Sequence, residues 1–353
     1  MQAGSLLTPS TLDEFMQVLR QLPGEKLFAL CDNNTWHHCF PLVAGALTER
    51  PCHIHIIPAG EMYKQPETLL GILSELSQQG FQKNDLLINL GGGTVSDIGG
   101  LAAALYQRGM PYVNLPTTLL AMADAAHGGK TAVDLNGIKN NMGTIWFPTS
   151  TVVYWGFLQT LPDRELRAGY VEVLKQSLLA GKKAWKNASR RMPETLIEEP
   201  EIIYEAARFK MKIVRKDPYD RGLRQILNLG HTIGHAIESW SLQQEEGPLL
   251  HGEAIALGLM TEMRLAQDLA GLDENFANEA NRILQRFIHA PIPPLSAIDD
   301  LIRLMIHDKK NRSSTIRFSL LAQPGKALTG VIAREERIRW ALEATLTGIH
   351  SLS

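Results

Sequence analysis

Two histidines stand four residues apart in Asn228-Leu229-Gly230-His231-Thr232-Ile233-Gly234-His235. On a helix that spacing puts both rings on one face. It permits metal chelation but lacks the glutamate of the zinc-protease pattern H-E-x-x-H. A third histidine opens the helical stretch His251-Gly252-Glu253-Ala254, and Glu172, with Lys175 one turn on, lies among apolar residues. One carboxylate with two or three imidazoles and an open position for substrate oxygens makes a catalytic divalent-metal site. The alternative is satisfied core histidines, and three polar groups placed in apolar helices weigh against it. Lys210, Arg224 and Arg108 would add positive charge to the same site.

A second concentration of chemistry runs from Asn89 to Asn140. The apolar run Leu86 to Leu90 reads as a buried strand and ends in Gly91, Gly92 and Gly93. A segment of helical character with small residues (Gly99, Gly100, Ala102, Ala103, Ala104) follows. A strand passing through glycines into a helix brings backbone N–H groups up to a phosphate. The run does not fit the dinucleotide fingerprint G-x-G-x-x-G, because counting from Gly91 the third glycine position is Ser96. Asp97, one turn into the helix, is a candidate capping or ribose-binding carboxylate, and Thr117 and Thr118 follow Pro116 at a strand end. Lys130 after Gly128-Gly129 suits phosphate, and Asn140 beside Lys139 can orient hydroxyls. Two solvated lysines on a long polar loop are the plain alternative.

The elements that must position these groups fall into two halves. Strands are expected at Lys26 to Cys31, His53 to Ile57, Leu86 to Leu90, Tyr112 to Leu115 and Val152 to Tyr154. A helix capped by Ser10 and another over Glu67 to Gln79 lie among them. This alternation predicts an α/β N-terminal domain, Rossmann-like, with a doubly wound and mostly parallel sheet, over residues 1–160. From 161 to 353 the pattern is mostly α-helical: Arg164 to Ala180, Ile197 to Arg215, Arg224 to Trp240, Gly252 to Ala270, Glu274 to Phe287 and Ile298 to His307. A short strand pair around Thr315 to Leu321 and Ala327 to Ile332 precedes a last helix from Arg334. A cleft between the halves is expected to hold the ligand.

Bulk properties narrow the class. The 353 residues are 44% hydrophobic and 20% charged, with a formal net charge of −2. That balance excludes a nucleic acid or an acidic membrane surface as main partner. The three cysteines, Cys31, Cys39 and Cys52, match no zinc spacing and are expected as reduced packing thiols of a cytoplasmic protein. The apolar runs are too short for a membrane helix.

Taken in order, these pieces resemble 3-dehydroquinate synthases, a family of sugar phosphate cyclases distantly related to iron-dependent alcohol dehydrogenases and glycerol dehydrogenase. The matching residues begin with Gly91-Gly92-Gly93 and Asp97, Arg108-Gly109 and Pro116-Thr117-Thr118-Leu119-Leu120. Asp124, Gly128-Gly129-Lys130-Thr131, Lys139-Asn140 and Arg167-Ala168-Gly169 come next, leading to Glu172 and Lys175. They end with Leu227-Asn228-Leu229-Gly230-His231-Thr232, Gly234-His235-Ala236, His251-Gly252-Glu253-Ala254 and Asp308-Lys309-Lys310. Order and spacing hold from roughly residue 25 to 325.

The resemblance implies roles. A divalent metal, zinc or cobalt, would be held by Glu172, His231 and His251. NAD would contact Asp32, Glu61, Lys64, the turn Gly93, Thr94, Val95, Ser96 and Asp97, then Thr117, Thr118, Lys130, Lys139 and the segment Phe157, Leu158, Gln159 and Thr160. A small sugar phosphate would meet Asp124, Lys130, Asn140, Lys175, Lys210, Arg224, Asn228, His235 and a lysine of the Lys309–Lys310 pair. Arg108 would reach the phosphate site of a second subunit in a homodimer.

The implied reaction converts 3-deoxy-D-arabino-heptulosonate 7-phosphate to 3-dehydroquinate by transient oxidation, phosphate elimination, re-reduction and aldol closure. Rivals are another cyclase, of the 2-epi-5-epi-valiolone or amino-dehydroquinate type, a polyol dehydrogenase releasing NADH, and a catalytically dead scaffold. The chain departs from the family pattern at Ser96, His127, Asp134, Ile138 and Asn141, none of which carries a catalytic role.

Overall fold

Apolar runs without polar alternation, such as Leu27–Asp32 (LFALCD) and Leu86–Gly91 (LLINLG), form strands covered on both faces. In the computed structural model, which describes residues 4–136, 138–244, 247–307 and 315–350, they build one parallel six-stranded sheet. Its strands are β1 (Ser5–Leu7), β2 (Leu27–Asp32), β3 (Cys52–Ile57), β4 (Leu86–Gly91), β5 (Tyr112–Pro116) and, after a hairpin, β8 (Ser150–Val152). The order across the sheet is β1-β8-β5-β4-β2-β3, with every pairing parallel. The chain runs outward from β2 to β3 and then reverses to β4, so the topological switch lies between β2 and β4. In an open α/β sheet the crevice at the carboxyl ends of those two strands is the ligand position.

The core on one face is built from Phe28, Leu30 and Leu87 of the strands packed against Ile72, Leu76, Val95, Ile98 and Leu101 of the helices, all buried. The small residues of the Gly93–Leu105 helix allow it to lie against the sheet. A Cβ on Gly99 would come within 1.8 Å of Asn89 Oδ1. Behind it a buried polar ladder crosses three strands: Asn89 Nδ2 donates to Asn114 Oδ1 (2.9 Å), and Asn114 Nδ2 and Thr151 Oγ1 both donate to Ala126 O. It fixes the turn that carries Asp124 and His127.

Several expectations are corrected locally. The polar loop expected over Asp124 to Asn140 contains a hairpin, β6 (Lys130–Leu135) and β7 (Ile138–Ile145), paired antiparallel. The first helix, Leu12–Arg20, is capped by Thr11 instead of Ser10. The helix expected over Arg224 to Trp240 is broken: a 3-10 turn spans Leu223–Asn228 and an α-helix His231–Ser241 begins after Gly230, which sits at φ 80. A left-handed residue cannot continue a right-handed helix, and glycine takes that conformation without strain.

The chain forms two compact units, Met1–Pro162 with Glu194–Tyr219, and Asp163–Pro193 with Asp220–Ser353. They differ from a division at 160/161 mainly in the stretch 194–219. Its helix Glu201–Lys216 joins the first unit, where Tyr204 donates from its hydroxyl to Pro9 O at 3.0 Å. The second unit is helical, with Asp163–Ala180, His231–Ser241, His251–Ala270, Glu274–Gln285, Ile298–His307 and Glu335–His350 as its longer helices, plus one antiparallel pair, β9 (Arg317–Gln323) and β10 (Lys326–Ile332). Cys31, Cys39 and Cys52 are free; burial raises the Cys31 thiol to about 12 and that of Cys39 to about 11. Among the described residues no helix is long and apolar enough to cross a membrane.

Candidate metal centre and cofactor turn

In the second unit, three helices converge on Glu172. The Asp163–Ala180 helix is buried along most of its length and carries Glu172 at 0% exposure. His231 Nε2 lies 3.7 Å and His251 Nε2 3.6 Å from Glu172 Oε1. Lys175 Nζ approaches Glu172 Oε2 to 2.6 Å, yet neither carboxylate oxygen accepts an aligned hydrogen bond. A fully buried carboxylate needs positive charge beside it, which Lys175 supplies on one oxygen, while the two imidazoles face the other.

The two imidazoles are already oriented for metal ligation. His231 Nδ1 is within 3.1 Å of Leu229 O, and His251 Nδ1 within 3.3 Å of Glu238 Oε2. In each ring the other nitrogen, Nε2, is turned to Glu172, the arrangement of a metal-ligating histidine held from behind by an oxygen. The ligand atoms of Glu172, His231 and His251 lie within 4.8 Å of one another. Burial disfavours a proton on His251, but Glu238 and Glu172 outweigh it and raise the ring to about 10. A metal would take the place of that proton. His235 completes the histidine cluster, its ring centroid 5.0 Å from that of His231 and 5.9 Å from that of His251, and with Glu238 and His251 it forms a second possible ligand group.

Close helix packing sets this geometry. A Cβ on Gly252 would meet Ala168 O at 1.8 Å, and one on Gly258 would meet Gly230 O at 2.0 Å. Gly230 N donates to Glu262 Oε2 at 2.6 Å, so a buried carboxylate caps the helix that starts with His231. Glu238 and Glu262 were not singled out in the sequence, because only tertiary packing reveals what they face. Arg224 is buried and Asn228 half-buried in the 3-10 turn leading to this helix. Lys309 and Lys310 lie outside the described residues.

In the first unit, β4 ends at Gly91 and the Gly93–Leu105 helix starts immediately, with Gly92 as its N-cap. A Cβ on Gly92 would come within 3.0 Å of Thr118 Cγ2. A cradle of bare N–H groups at a 13-residue helix start, beside the switch point, fits a pyrophosphate. Next to it a connected polar network has formed. The Lys64 ammonium, 3% exposed, lies 2.6 Å from Asp97 Oδ2, 3.5 Å from Glu61 Oε1 and 2.7 Å from Asn140 Oδ1. Burial opposes the Lys64 charge, but Asp97 and Glu61 outweigh it and raise its pKa above the ordinary lysine value. Thr94 Oγ1 donates to Glu61 Oε2 at 2.7 Å, and Lys139 Nζ stands 3.9 Å from Glu61 Oε1.

Asp134, one of the departures from the family pattern, organises the hairpin end of this network. Its Oδ1 accepts from Asn140 N at 2.7 Å while its own N–H donates to Lys64 O at 2.8 Å. Asn140, at φ 51, is thereby held in a left-handed conformation that asparagine tolerates. Elsewhere in the unit, Lys210 Nζ reaches Asp124 Oδ2 at 2.6 Å, and Lys130 is exposed at the start of β6.

Other expected cofactor residues have visible structural duties. Asp32 caps the Asn33–His38 helix through Thr35 N, and Thr118 caps the short Leu119–Ala123 helix. Val95 is buried, and Ser96 Oγ donates to Gly92 O within its own helix. Thr117 N donates to Gly91 O and joins the strand ends. Phe157 is buried against Phe15 and Tyr154 and Leu158 is also buried, whereas Gln159 and Thr160 are exposed. Arg108 is exposed on a turn where Gln107 (φ 45), Arg108 (φ 65) and Gly109 (φ 116) are all left-handed.

Comparison with known proteins identifies the family of the chain. The 3-dehydroquinate synthase N-terminal family model matches residues 54–168 and the 3-dehydroquinate synthase C-terminal model residues 169–311. A 3-dehydroquinate synthase of Parabacteroides distasonis is 35% identical over 94% of both chains, and one of Leptospira interrogans 33% identical over 94% of this chain and 92% of that one. In fold, the chain is similar to 2-epi-5-epi-valiolone synthase from Streptomyces hygroscopicus, solved with NAD+ and Zn2+ (TM-score 0.86, 24% identity, 100% and 98% covered). It is also similar to a 2-deoxy-scyllo-inosose synthase complexed with carbaglucose-6-phosphate, NAD+ and Co2+ (TM-score 0.82, 24% identity, 98% and 99% covered). With both family models matched in sequence order and the relatives aligned nearly end to end, the chain belongs to the 3-dehydroquinate synthase family.

Proposed function

We propose that this chain is a lyase acting on a phosphate ester, converting 3-deoxy-D-arabino-heptulosonate 7-phosphate to 3-dehydroquinate and inorganic phosphate in the biosynthesis of aromatic amino acids. The observation that carries the reading is the buried Glu172 carboxylate, faced by two pre-oriented imidazoles whose ligand atoms lie within 4.8 Å of it and of each other. When bound, NAD takes up and returns one hydride, and a zinc- or cobalt-class ion polarises the oxygens of the reacting carbon.

The chain's own residues supply the rest. Glu172, His231 and His251 hold the ion, with Glu238 positioning His251. The Gly93 to Asp97 turn takes the pyrophosphate on its N–H groups, and Glu61, Lys64 and Lys139 hold the dinucleotide beside it. Lys130, Lys175, Lys210 and Arg224 bind the phosphate and carboxylate of the substrate, whose charges a set of cations recognises better than neutral donors would. Asp124 orients Lys210 through their 2.6 Å ion pair. Asn140, Asn228 and His235 orient hydroxyl groups. Arg108, exposed on its strained turn, completes the phosphate site of a second copy in a cytoplasmic homodimer.

The test is turnover. Purified protein supplied with NAD and zinc is expected to release phosphate from the heptulosonate phosphate and form dehydroquinate with no net NADH. Turnover of sedoheptulose 7-phosphate in its place, or steady accumulation of NADH, would overturn the assignment.

A further inference from the structure

Away from the groups used above, the first unit holds a second cluster of ligand-type side chains. Among the described residues edge strand β3 pairs only with β2, and it carries His53 and His55 two residues apart, hence on one face of the sheet. The Pro66–Gln78 helix packs on that face and presents Glu75, whose Oε1 lies 2.9 Å from His53 Nε2. One ligand atom from each of the three residues lies within 4.8 Å of the others.

We propose that His53, His55 and Glu75 form a second metal site, specific for a first-row divalent ion of the zinc class, which pins edge strand β3 to the Pro66–Gln78 helix. Both imidazoles stack on a single platform, Phe28, with centroids at 5.5 and 5.7 Å and interplanar angles of 30° and 27°. Phe81 meets the His53 ring at its edge. Rings held this way lose little side-chain freedom when they bind an ion. A pair of imidazoles with one carboxylate is a borderline donor set that suits zinc over calcium or magnesium. His53 and Glu75 keep 27% and 26% of their side-chain surface exposed, leaving an entry path and room for a water as fourth ligand. A simple His53–Glu75 ion pair would leave the matching placement of His55 without a purpose.

The site is independent of the catalytic reading and can be measured apart from it. His251 belongs to both ligand groups of the second unit, so full-length His251→Ala protein isolates the new one. After chelation and dialysis against micromolar Zn2+, this protein is expected to keep one zinc per chain by atomic emission. Adding Glu75→Gln or His55→Ala is expected to weaken binding at least about tenfold and to abolish the zinc-dependent rise in melting temperature. No zinc on His251→Ala, or zinc retained in the double variants, would overturn the proposal. Should His251→Ala fail to fold, the wild type is compared with Glu75→Gln alone. A loss of one equivalent with unchanged turnover supports the site, and an equal zinc content refutes it.

Discussion

Breaking a buried ion pair by removing one partner costs about 3–5 kcal/mol, because an uncompensated charge stays behind. Lys175 and Glu172 form such a pair, and loss of a divalent ion's ligand beside them would leave the same carboxylate short of charge. His251→Ala is therefore expected to lose the metal held with Glu172 and His231, and with it activity, keeping its helical circular dichroism and only the one zinc assigned to His53, His55 and Glu75; two equivalents of metal in that variant would show a wrong ligand. Glu238→Gln leaves all three ligands in place but removes the charge behind His251, and is expected to weaken zinc about 10–100-fold in competition with a chelator. His127 offers a separate test. Its Nε2 lies 2.6 Å from Met122 O, which can only accept, so Nε2 carries the proton and Nδ1 is left without a partner. Burial lowers its pKa from 6.5 to about 4. Because the folded value is the depressed one, the unfolded chain binds the extra proton between these two pH values. The stabilisation is complete above 6.5 and is lost as pH falls toward 4, by at most about 3 kcal/mol. In urea titrations His127→Gln, which keeps a donor to Met122, is expected to lose correspondingly less stability than the wild type over that window; parallel curves would contradict the account. At this scale the ligands Glu172, His231 and His251 were legible from residue type and spacing. Glu238 and the Lys64–Asp97–Asn140 network were not, since their partners lie 13, 33 and 76 positions away and meet only through packing.

Elements repeat the lesson with helices and strands. The Ile298–His307 helix and the four long strands of the sheet stand close to where the sequence pattern puts them, because apolar residues predominate in each. The β6–β7 hairpin was hidden because β7 is largely exposed and offers no apolar run. The break before His231 was hidden because a helical pattern continues across Gly230, which is left-handed and where Leu259 Cγ would lie 2.6 Å from any added Cβ. Two glycines in helices should respond in opposite directions to alanine. Gly71 has nothing within 4 Å of an added Cβ, so Gly71→Ala is expected to stabilise by about 1 kcal/mol through helix propensity. Gly258→Ala would drive a methyl into Gly230 O and is expected to destabilise by about 1–3 kcal/mol and loosen the metal centre. Equal shifts in urea midpoint for the two would show that close packing does not set this geometry.

For the whole molecule, the proposed exchange of Arg108 between subunits predicts complementation. Arg108→Ala and His251→Ala are each expected to be inactive alone. Mixed under exchange, half the dimers are hybrids with one intact site, so about one quarter of wild-type activity should return. No recovery from a mixture that demonstrably exchanges subunits would place Arg108 in its own chain's site. The division into an α/β part and a helical part was legible from the change in pattern after residue 161. The return of the Glu201–Lys216 helix to the first unit was not, because its amphipathic pattern says that one face is buried and not where. That return has a consequence during synthesis. The first unit is discontinuous, so its sheet can assemble once Val152 has left the ribosome, but the unit is not complete until residue 219 has emerged. At ~5–20 residues per second the nascent chain waits on the order of several seconds with Asp124 lacking Lys210 and Pro9 lacking the Tyr204 hydroxyl. The opening part of the protein thus remains a client for chaperones until the middle of its message has been read.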